Sequence, residues 1–115
     1  MSDIQELQKV IRKFCDDRNW DQFHNLKDLL ISLNLESSEA LEHVQWKNEK
    51  ELEELIKNNK ALGEELADVL YWTLLIANKA DIDLSAAFTD KMKCNDKKYP
   101  IEKTSGSHKK YTELA

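Results

Sequence analysis

The segment NNKALGEELADVLYWTLLIANK, residues 58–79, decides the fold of this chain because a helical apolar repeat and two acidic residues coincide in it. Its apolar residues recur three and four positions apart, as on the packed face of an amphipathic helix. Asn58-Asn59 favours a helix start at this point, since asparagine is a preferred N-cap residue. Glu65 and Asp68 are three residues apart and therefore share one face of the predicted helix.

A second acidic pair has the same spacing on the preceding predicted helix, which we expect to run from about Asn25 to Trp46. Glu36 and Glu39 also share a face. If the two pairs meet, about four negative charges lie together and require a cation. Mg²⁺ prefers oxygen ligands of this kind, commonly alongside substrate phosphates. The two pairs therefore predict a metal centre for phosphate chemistry.

The distance between the pairs along the chain constrains the connection between their helices. At 1.5 Å of rise per residue, a single helix continuing from a turn at Trp46 would carry Glu65 too far from Glu39. A helix that restarts at Asn58-Asn59 brings the two residues level. We therefore expect Asn48 to Lys57 to form a separate short helix or crossover.

Composition and apolar patterning predict an all-α, four-helix-bundle-type fold. The chain has 115 residues, only 2 Gly and 1 Pro, and a length typical of one domain, 1–115. Apolar repeats predict a first helix over Asp3 to Asp16 and a shorter fourth helix opened by Asp83 or Ser85. The polar segment 101–115 is expected to be an irregular C-terminal tail.

Charge and hydropathy narrow the range of partners. The net charge of −5 argues against binding a nucleic acid polymer. No apolar run reaches transmembrane length and the amino terminus lacks the apolar core of a signal peptide, so we expect no membrane association and a cytoplasmic location. Cys15 and Cys94 are too few for a disulfide framework or a zinc site. The segment Ala61 to Ala80 is apolar on more than one face, which favours a homodimer or homotetramer.

The two acidic segments, ESSEALEHVQW (Glu36 to Trp46) and EELADVLYW (Glu64 to Trp72), resemble a family signature. The signature is the E-x-x-E … E-x-x-D motif of the all-α nucleoside triphosphate pyrophosphohydrolases, the MazG-like superfamily. The chain is most similar to the dCTP pyrophosphatase branch, because the pieces WDQFHNLKDLL, KMKCNDKKYP and KKYTEL also fit in the right order. The amino-terminal helix and the Lys47 to Lys57 connection lie outside this resemblance.

The resemblance implies hydrolysis of a nucleoside triphosphate between its α- and β-phosphates, yielding a monophosphate and pyrophosphate. The implied substrates are dNTPs, dCTP-like or broader, and the implied role is cleaning of the nucleotide pool. The implied ligands of Mg²⁺, or of Mn²⁺ as a substitute, are Glu36, Glu39, Glu65 and Asp68. Glu39 is also our candidate catalytic base, since a ligand or neighbouring carboxylate often accepts the proton of water. The implied substrate contacts are Trp20, His24, Trp46, Trp72, Lys91, Asn95, Lys98, Tyr99, Lys109 and Lys110.

Two positions depart from the usual pattern of the branch. Trp72 stands where the branch usually has Tyr, and Asp96 follows Asn95 where a basic residue is common. The first change removes a phenolic hydroxyl and leaves base and sugar preference open. The second makes the expected rim less basic.

Two other kinds of protein could also contain acidic pairs on helices. A carboxylate-bridged di-iron bundle requires Glu-x-x-His pairs on two helices. Here His43 follows Glu39 by four residues, and no His accompanies Glu65 or Asp68. A non-catalytic helical interaction module is the remaining alternative. It leaves unexplained why two acidic pairs each share one face of a predicted helix.

Overall fold

The structure is a computed structural model that describes residues 3–108 and 111–113. All regular structure in these residues is helical, which confirms the all-α prediction. The chain divides into two compact units, the first ending at Ile82 and the second beginning at Asp83. The first unit contains α1 (Ile4–Asp16), a 3₁₀ turn (Asp21–Phe23), α2 (Leu26–Glu42), α3 (Glu49–Lys57) and α4 (Lys60–Lys79).

Helix α4 is the central element of the first unit, because both α2 and α1 pack against it. Its buried residues meet Cys15 of α1 and Leu29 of α2 in a small apolar core around Leu75. Leu29 and Leu74 are almost completely buried, and burial of each such side chain stabilises the fold by roughly 1.5–3 kcal/mol. The helical repeat of residues 58–79 therefore produces the element around which the unit is built.

Side-chain caps set the starts of several helices. Asp3 and Asn25 accept hydrogen bonds from backbone N–H groups in the first turns of α1 and α2. Asn48 and Glu51 form a reciprocal capping box at the start of α3. The prediction of a separate short helix between the acidic helices is confirmed.

The prediction that α4 starts after Asn58-Asn59 is also confirmed, although the reason differs from the one expected. Asn59 occupies the N-cap position but makes no side-chain cap bond. Its side-chain amide instead donates a 3.0 Å hydrogen bond to the carbonyl oxygen of Ile56, at the end of α3. The residue therefore closes the preceding helix rather than capping the next one.

Helix α2 ends at Glu42, so the prediction that it continues to Trp46 is wrong. The backbone N–H groups of Val44 and Lys47 donate to carbonyl oxygens three residues earlier, which tightens the chain into turns. Trp46 itself has φ of 64°, in the left-handed region, and is 92% exposed. The capping box of α3 begins two residues after Trp46.

The second unit contains α5 (Leu84–Lys98), the single turn α6 (Ile101–Thr104) and a 3₁₀ turn (Tyr111–Glu113). Asp83 caps α5 by accepting from the N–H of Ala86, as predicted. With 15 residues, α5 is shorter than α2 and α4, as expected from the sequence. The turns α6 and Tyr111–Glu113 lie within the segment 101–115, which was predicted to be irregular. The assignment of residues 1–115 to one domain stays a prediction.

Within the described residues, no helix combines the length and the apolar character needed to cross a lipid bilayer.

We expect Leu29→Ala to lower the free energy of unfolding by about 2–5 kcal/mol, because it leaves a cavity between α2 and α4. Leu41→Ala is the matched control on the same helix. Leu41 is 67% exposed, so its truncation should change stability by only about 0.5 kcal/mol. Urea titration followed by helical circular dichroism measures both changes. A loss below about 1 kcal/mol for Leu29→Ala would contradict this packing.

Candidate active site

Three of the four predicted acidic ligands form one cluster in the first unit. Carboxylate oxygens of Glu36 on α2 and of Glu65 and Asp68 on α4 lie within 4.8 Å of one another. The packing of α2 against α4 brings these side chains together, since each projects from the contact between the two helices. The cluster has the composition of a site for a hard divalent cation.

Glu39, the fourth predicted ligand, is not part of this group of three. Its side chain is exposed. Its side chain hydrogen-bonds Glu36, and this contact is the main cause of the raised pKa of Glu36. Burial and the charge of Glu39 raise that pKa further, whereas a hydrogen bond from Trp72 lowers it. The neighbouring carboxylate thus makes ionisation of Glu36 less favourable.

Two oxygens of the cluster indicate that a cation fits this site. Oε2 of Glu36 and Oε2 of Glu65 are buried, and neither has a hydrogen-bond partner among the described residues. A buried carboxylate oxygen without a donor or cation is costly. Glu36, Glu65 and Asp68 therefore have the donor set and the unsatisfied oxygens that a divalent cation would complete.

His43 also contacts the cluster. Its Nε2 lies 3.4 Å from Oε1 of Glu65, and both side chains are partly buried. His43 was not among the predicted site residues, although it follows Glu39 by four residues in the sequence. Residues four apart share a face of a helix, and this spacing was the signal that could have identified it.

An apolar pocket of about 500 Å³ adjoins the acidic cluster. Two of the cluster carboxylates form part of its wall, so that the pocket and the acids are one continuous site. Helices α1 and α4 and the segment around the 3₁₀ turn supply the remaining wall. The lining residues are Val10, Ile11, Phe14, Trp20, His24, Glu36, Asp68, Tyr71 and Trp72.

The aromatic rings of the pocket support one another through edge-to-face contacts. Phe14 lies 5.5 Å from Trp20 and 6.1 Å from Tyr71, and Tyr71 lies 5.2 Å from Trp72, all between ring centroids. Such contacts hold rings at defined angles. The guanidinium of Arg18 stacks 3.8 Å above the centre of Phe14 and so fixes this ring further. The pocket wall is therefore pre-organised.

Trp20 and His24 flank the 3₁₀ turn Asp21–Phe23, and an ion pair attaches that turn to the core helix. Nζ of Lys79 on α4 lies 3.4 Å from the carboxylate of Asp21. Within the wall, burial raises the pKa of Tyr71, whose hydroxyl lies 3.7 Å from Sγ of Cys15. Tyr71 therefore stays protonated and neutral at physiological pH.

Sequence reasoning missed the contribution of α1 to the pocket. Val10, Ile11 and Phe14 belong to an apolar stripe that the sequence assigned only to helix packing. Tyr71 was likewise not among the predicted site residues. An apolar stripe has the same spacing whether it faces a core or a pocket, so only the exposure of Val10 and Phe14 in the fold distinguishes the two.

Several predicted substrate contacts are not among the lining residues of this pocket. Trp46 is exposed and does not line the pocket, because α2 ends before it. Four other predicted substrate contacts belong to α5 or its C-cap, in the second unit. Two more are lysines of the C-terminal segment that fall outside the described residues. Those in the second unit are Lys91, Asn95 and Lys98 on α5 and Tyr99 at its C-cap; those outside the described residues are Lys109 and Lys110.

Comparison with known families agrees with this arrangement. A sequence model of the MazG-like family matches residues 31–114, which include both acidic pairs. This chain belongs to the MazG-like family. The resemblance stated from the sequence is therefore confirmed.

Individual relatives of this MazG-like protein match nearly its whole length. It is 35% identical over 114 residues to dCTP pyrophosphatase 1 of Rattus norvegicus, covering 96% of this chain and 67% of the relative. Identity to dCTP pyrophosphatase 1 of Homo sapiens is 34%, with the same coverage. The family model begins at residue 31 and leaves out the amino-terminal helix, as expected from the sequence, but it includes the connection at 47–57, which was expected to lie outside. The alignments with individual relatives extend further, because they cover 96% of this chain.

A solved structure has the same fold. The crystal structure of a pyrophosphatase from Archaeoglobus fulgidus superposes on this MazG-like chain with a TM-score of 0.78 and 35% sequence identity. The match covers 87% of this chain and 94% of the archaeal one. The helical arrangement described above is therefore shared with a pyrophosphatase.

We expect Mg²⁺ to raise the melting temperature of the protein by several degrees, because a bound cation satisfies the two unpaired oxygens. At 100 times Kd, a ligand that binds only the folded state adds about 2.7 kcal/mol to the free energy of unfolding. Glu65→Gln should abolish the shift. Glu64→Gln is the matched control, since Glu64 is exposed and outside the cluster. Thermal scans with and without Mg²⁺ test this, and an equal shift in both variants would contradict the site.

Proposed function

We propose that this protein is a Mg²⁺-dependent nucleoside triphosphate pyrophosphohydrolase. Its proposed reaction converts dNTPs to dNMP and pyrophosphate, with a dCTP-like substrate preferred, in cleaning the cytoplasmic nucleotide pool. The observation that carries the proposal is the sharing of Glu36 and Asp68 between the acidic cluster and the aromatic pocket. A nucleotide has a polyanionic end for the cation and an aromatic base for the pocket, and both fit one continuous site.

The enzyme class follows from the family and the relatives: this chain is a nucleotide pyrophosphohydrolase. The narrower substrate proposal is supported by the names of the relatives, which are dCTP pyrophosphatases at about one-third identity. Trp72 lines the pocket at a position where the branch usually has Tyr. This residue is therefore the one at which we expect the base preference to differ from that of the relatives.

The cation-binding part of the proposal rests on Glu36, Glu65 and Asp68, with Glu39 as the fourth acid beside them. Mg²⁺, or Mn²⁺ as a substitute, would offset the charge of the triphosphate and lower the pKa of nearby water. The carboxylates themselves bind and orient. Their positions on two packed helices limit their movement during the reaction.

We assign Glu39 the role of general base. The attacking water forms a bond to the α-phosphorus while the bond from that phosphorus to the α–β bridging oxygen breaks. Pyrophosphate departs with the bridging oxygen, and the proton lost by the water passes to the Glu39 carboxylate. Its exposure and its contact with Glu36 support this role, since it is accessible to water and adjacent to the cluster.

The pocket binds the base and sugar in this proposal. Trp20, Trp72 and His24 offer flat apolar faces, and base–aromatic stacking contributes about 1–3 kcal/mol per base. The walls are held by the edge-to-face contacts of Phe14 and Tyr71. A pocket of about 500 Å³ is within the range of small-molecule sites.

Further substrate contacts remain predictions for residues beyond the pocket. Basic and polar groups of the second unit would contact the triphosphate and sugar, and the tail lysines would cover the phosphates. The predicted substrate contacts beyond the pocket are Trp46, Lys91, Asn95, Lys98, Tyr99, Lys109 and Lys110.

We also propose a homodimer or homotetramer, because exposed apolar residues occur on both α2 and α4, including Ile31, Leu35 and Leu66.

A nucleotide panel tests the proposed reaction. With Mg²⁺, dCTP should be hydrolysed fastest and should yield pyrophosphate rather than orthophosphate, scored by ion chromatography. Glu39→Gln should lower kcat by about 10²–10⁴-fold, because it removes the proton acceptor. Glu42→Gln, an exposed carboxylate on the same helix, serves as the control and should retain activity. Orthophosphate as the product would refute α–β cleavage, and unchanged kcat in Glu39→Gln would refute its role.

The base pocket is tested separately by Trp20→Ala. Loss of about 1–3 kcal/mol of stacking corresponds to an increase in KM for dCTP of roughly 5–150-fold, with a smaller effect on kcat. Phe23→Ala is the control, because Phe23 lies on the neighbouring 3₁₀ turn, is exposed and does not line the pocket. Steady-state kinetics of both variants gives the comparison. Equal KM values for wild type and Trp20→Ala would remove Trp20 from the site.

A further inference from the structure

His43 holds one oxygen of a cluster glutamate. It is the C-cap residue of α2, and its Nε2 lies 3.4 Å from Oε1 of Glu65 on α4. An ionised carboxylate only accepts hydrogen bonds, so Nε2 must carry the hydrogen and donate it. The contact links the end of one acidic helix to the acid of the other.

The two partly buried glutamates of the cluster share a common arrangement. Glu36 is hydrogen-bonded by Trp72, whose indole N–H is its only polar donor, and Glu65 is contacted by His43. In both glutamates, the oxygen Oε2 is buried and unpartnered among the described residues. The imidazole ring of His43 thus holds Oε1 of Glu65 and leaves Oε2 available within the cluster.

We propose that His43 is a positioning residue that orients Glu65 for the divalent cation. The inference rests on the proposed function, because it assigns a role towards the cation of that same site. Carboxylates within 4.8 Å repel one another, and a glutamate side chain can rotate away from its neighbours. The hydrogen bond to Oε1 opposes this rotation and reduces the entropy lost when the cation binds.

The geometry favours positioning over direct coordination by the imidazole. The group of ligand atoms within mutual reach in the described part of the chain comprises Glu36, Glu65 and Asp68, without His43. A ring nitrogen that donates its hydrogen to Glu65 has no lone pair left for a metal. Carboxylates that bind metals are commonly held by hydrogen bonds from neighbouring groups, and loss of such a partner typically costs about 10–100-fold in metal affinity.

The test is Mn²⁺ binding to the full chain without nucleotide, measured by isothermal titration calorimetry. His43→Leu should weaken binding by about 10–100-fold, because the donor is lost. His43→Gln should restore most of the affinity, since its side-chain amide can donate to the same oxygen. His108→Leu is the matched control, because it removes an exposed histidine of the second unit. His43→Ala repeats the truncation, so that the result does not depend on one variant folding.

Kinetics adds a measurement that a purely structural role would not change. In His43→Leu, turnover at low Mg²⁺ should fall and should recover towards the wild-type kcat at saturating Mg²⁺. Wild-type Mn²⁺ affinity in His43→Leu and His43→Ala would overturn the inference. Equal weakening in His43→Leu and His43→Gln would also overturn it, because it would indicate coordination by the ring.

Failure of the inference differs from failure of the proposed function. If Glu65→Gln loses Mn²⁺ binding while His43→Leu keeps it, only the role of His43 is wrong. If the wild type itself binds no Mn²⁺, both the metal site and the role of His43 are overturned.

Discussion

The approach of three carboxylates at the contact between α2 and α4 is the constraint on which the rest of the site depends. Like charges at this distance repel, and two of their oxygens are buried without a partner. Apolar packing around Leu29 and Leu75 offsets this repulsion by holding the two helices together. The fold therefore stabilises an arrangement that the acids alone would oppose, as is common where structure is maintained for function.

The parts of this architecture that the sequence predicts are those set by strong local patterns. The apolar repeat of residues 58–79 identifies α4, and the need to level two acidic pairs identifies α3 as a separate helix. Asp83 is a sufficient N-cap signal for α5. The meeting of Glu36 with Glu65 and Asp68 could be anticipated because helical spacing and helix length are geometrically simple.

The parts that could not be predicted depend on tertiary contacts. Trp46 has the left-handed conformation of a chain leaving a helix, and a tryptophan gives no local indication of it. The role of α1 as a pocket wall is hidden because Val10 and Phe14 fit an ordinary packing stripe. The position of Glu39 outside the group of three depends on side-chain placement that a three-residue spacing does not specify.

Trp72 is a wall of the aromatic pocket and also the hydrogen-bond partner of Glu36. In the proposed enzyme, a single ring would thus connect the site for the base with the site for the cation. By thermodynamic linkage, whatever factor a stacked base imposes on cation affinity is the factor that the cation imposes on base affinity. In the proposed enzyme, Trp72 would therefore influence the cooperativity between two ligands as well as the shape of one pocket.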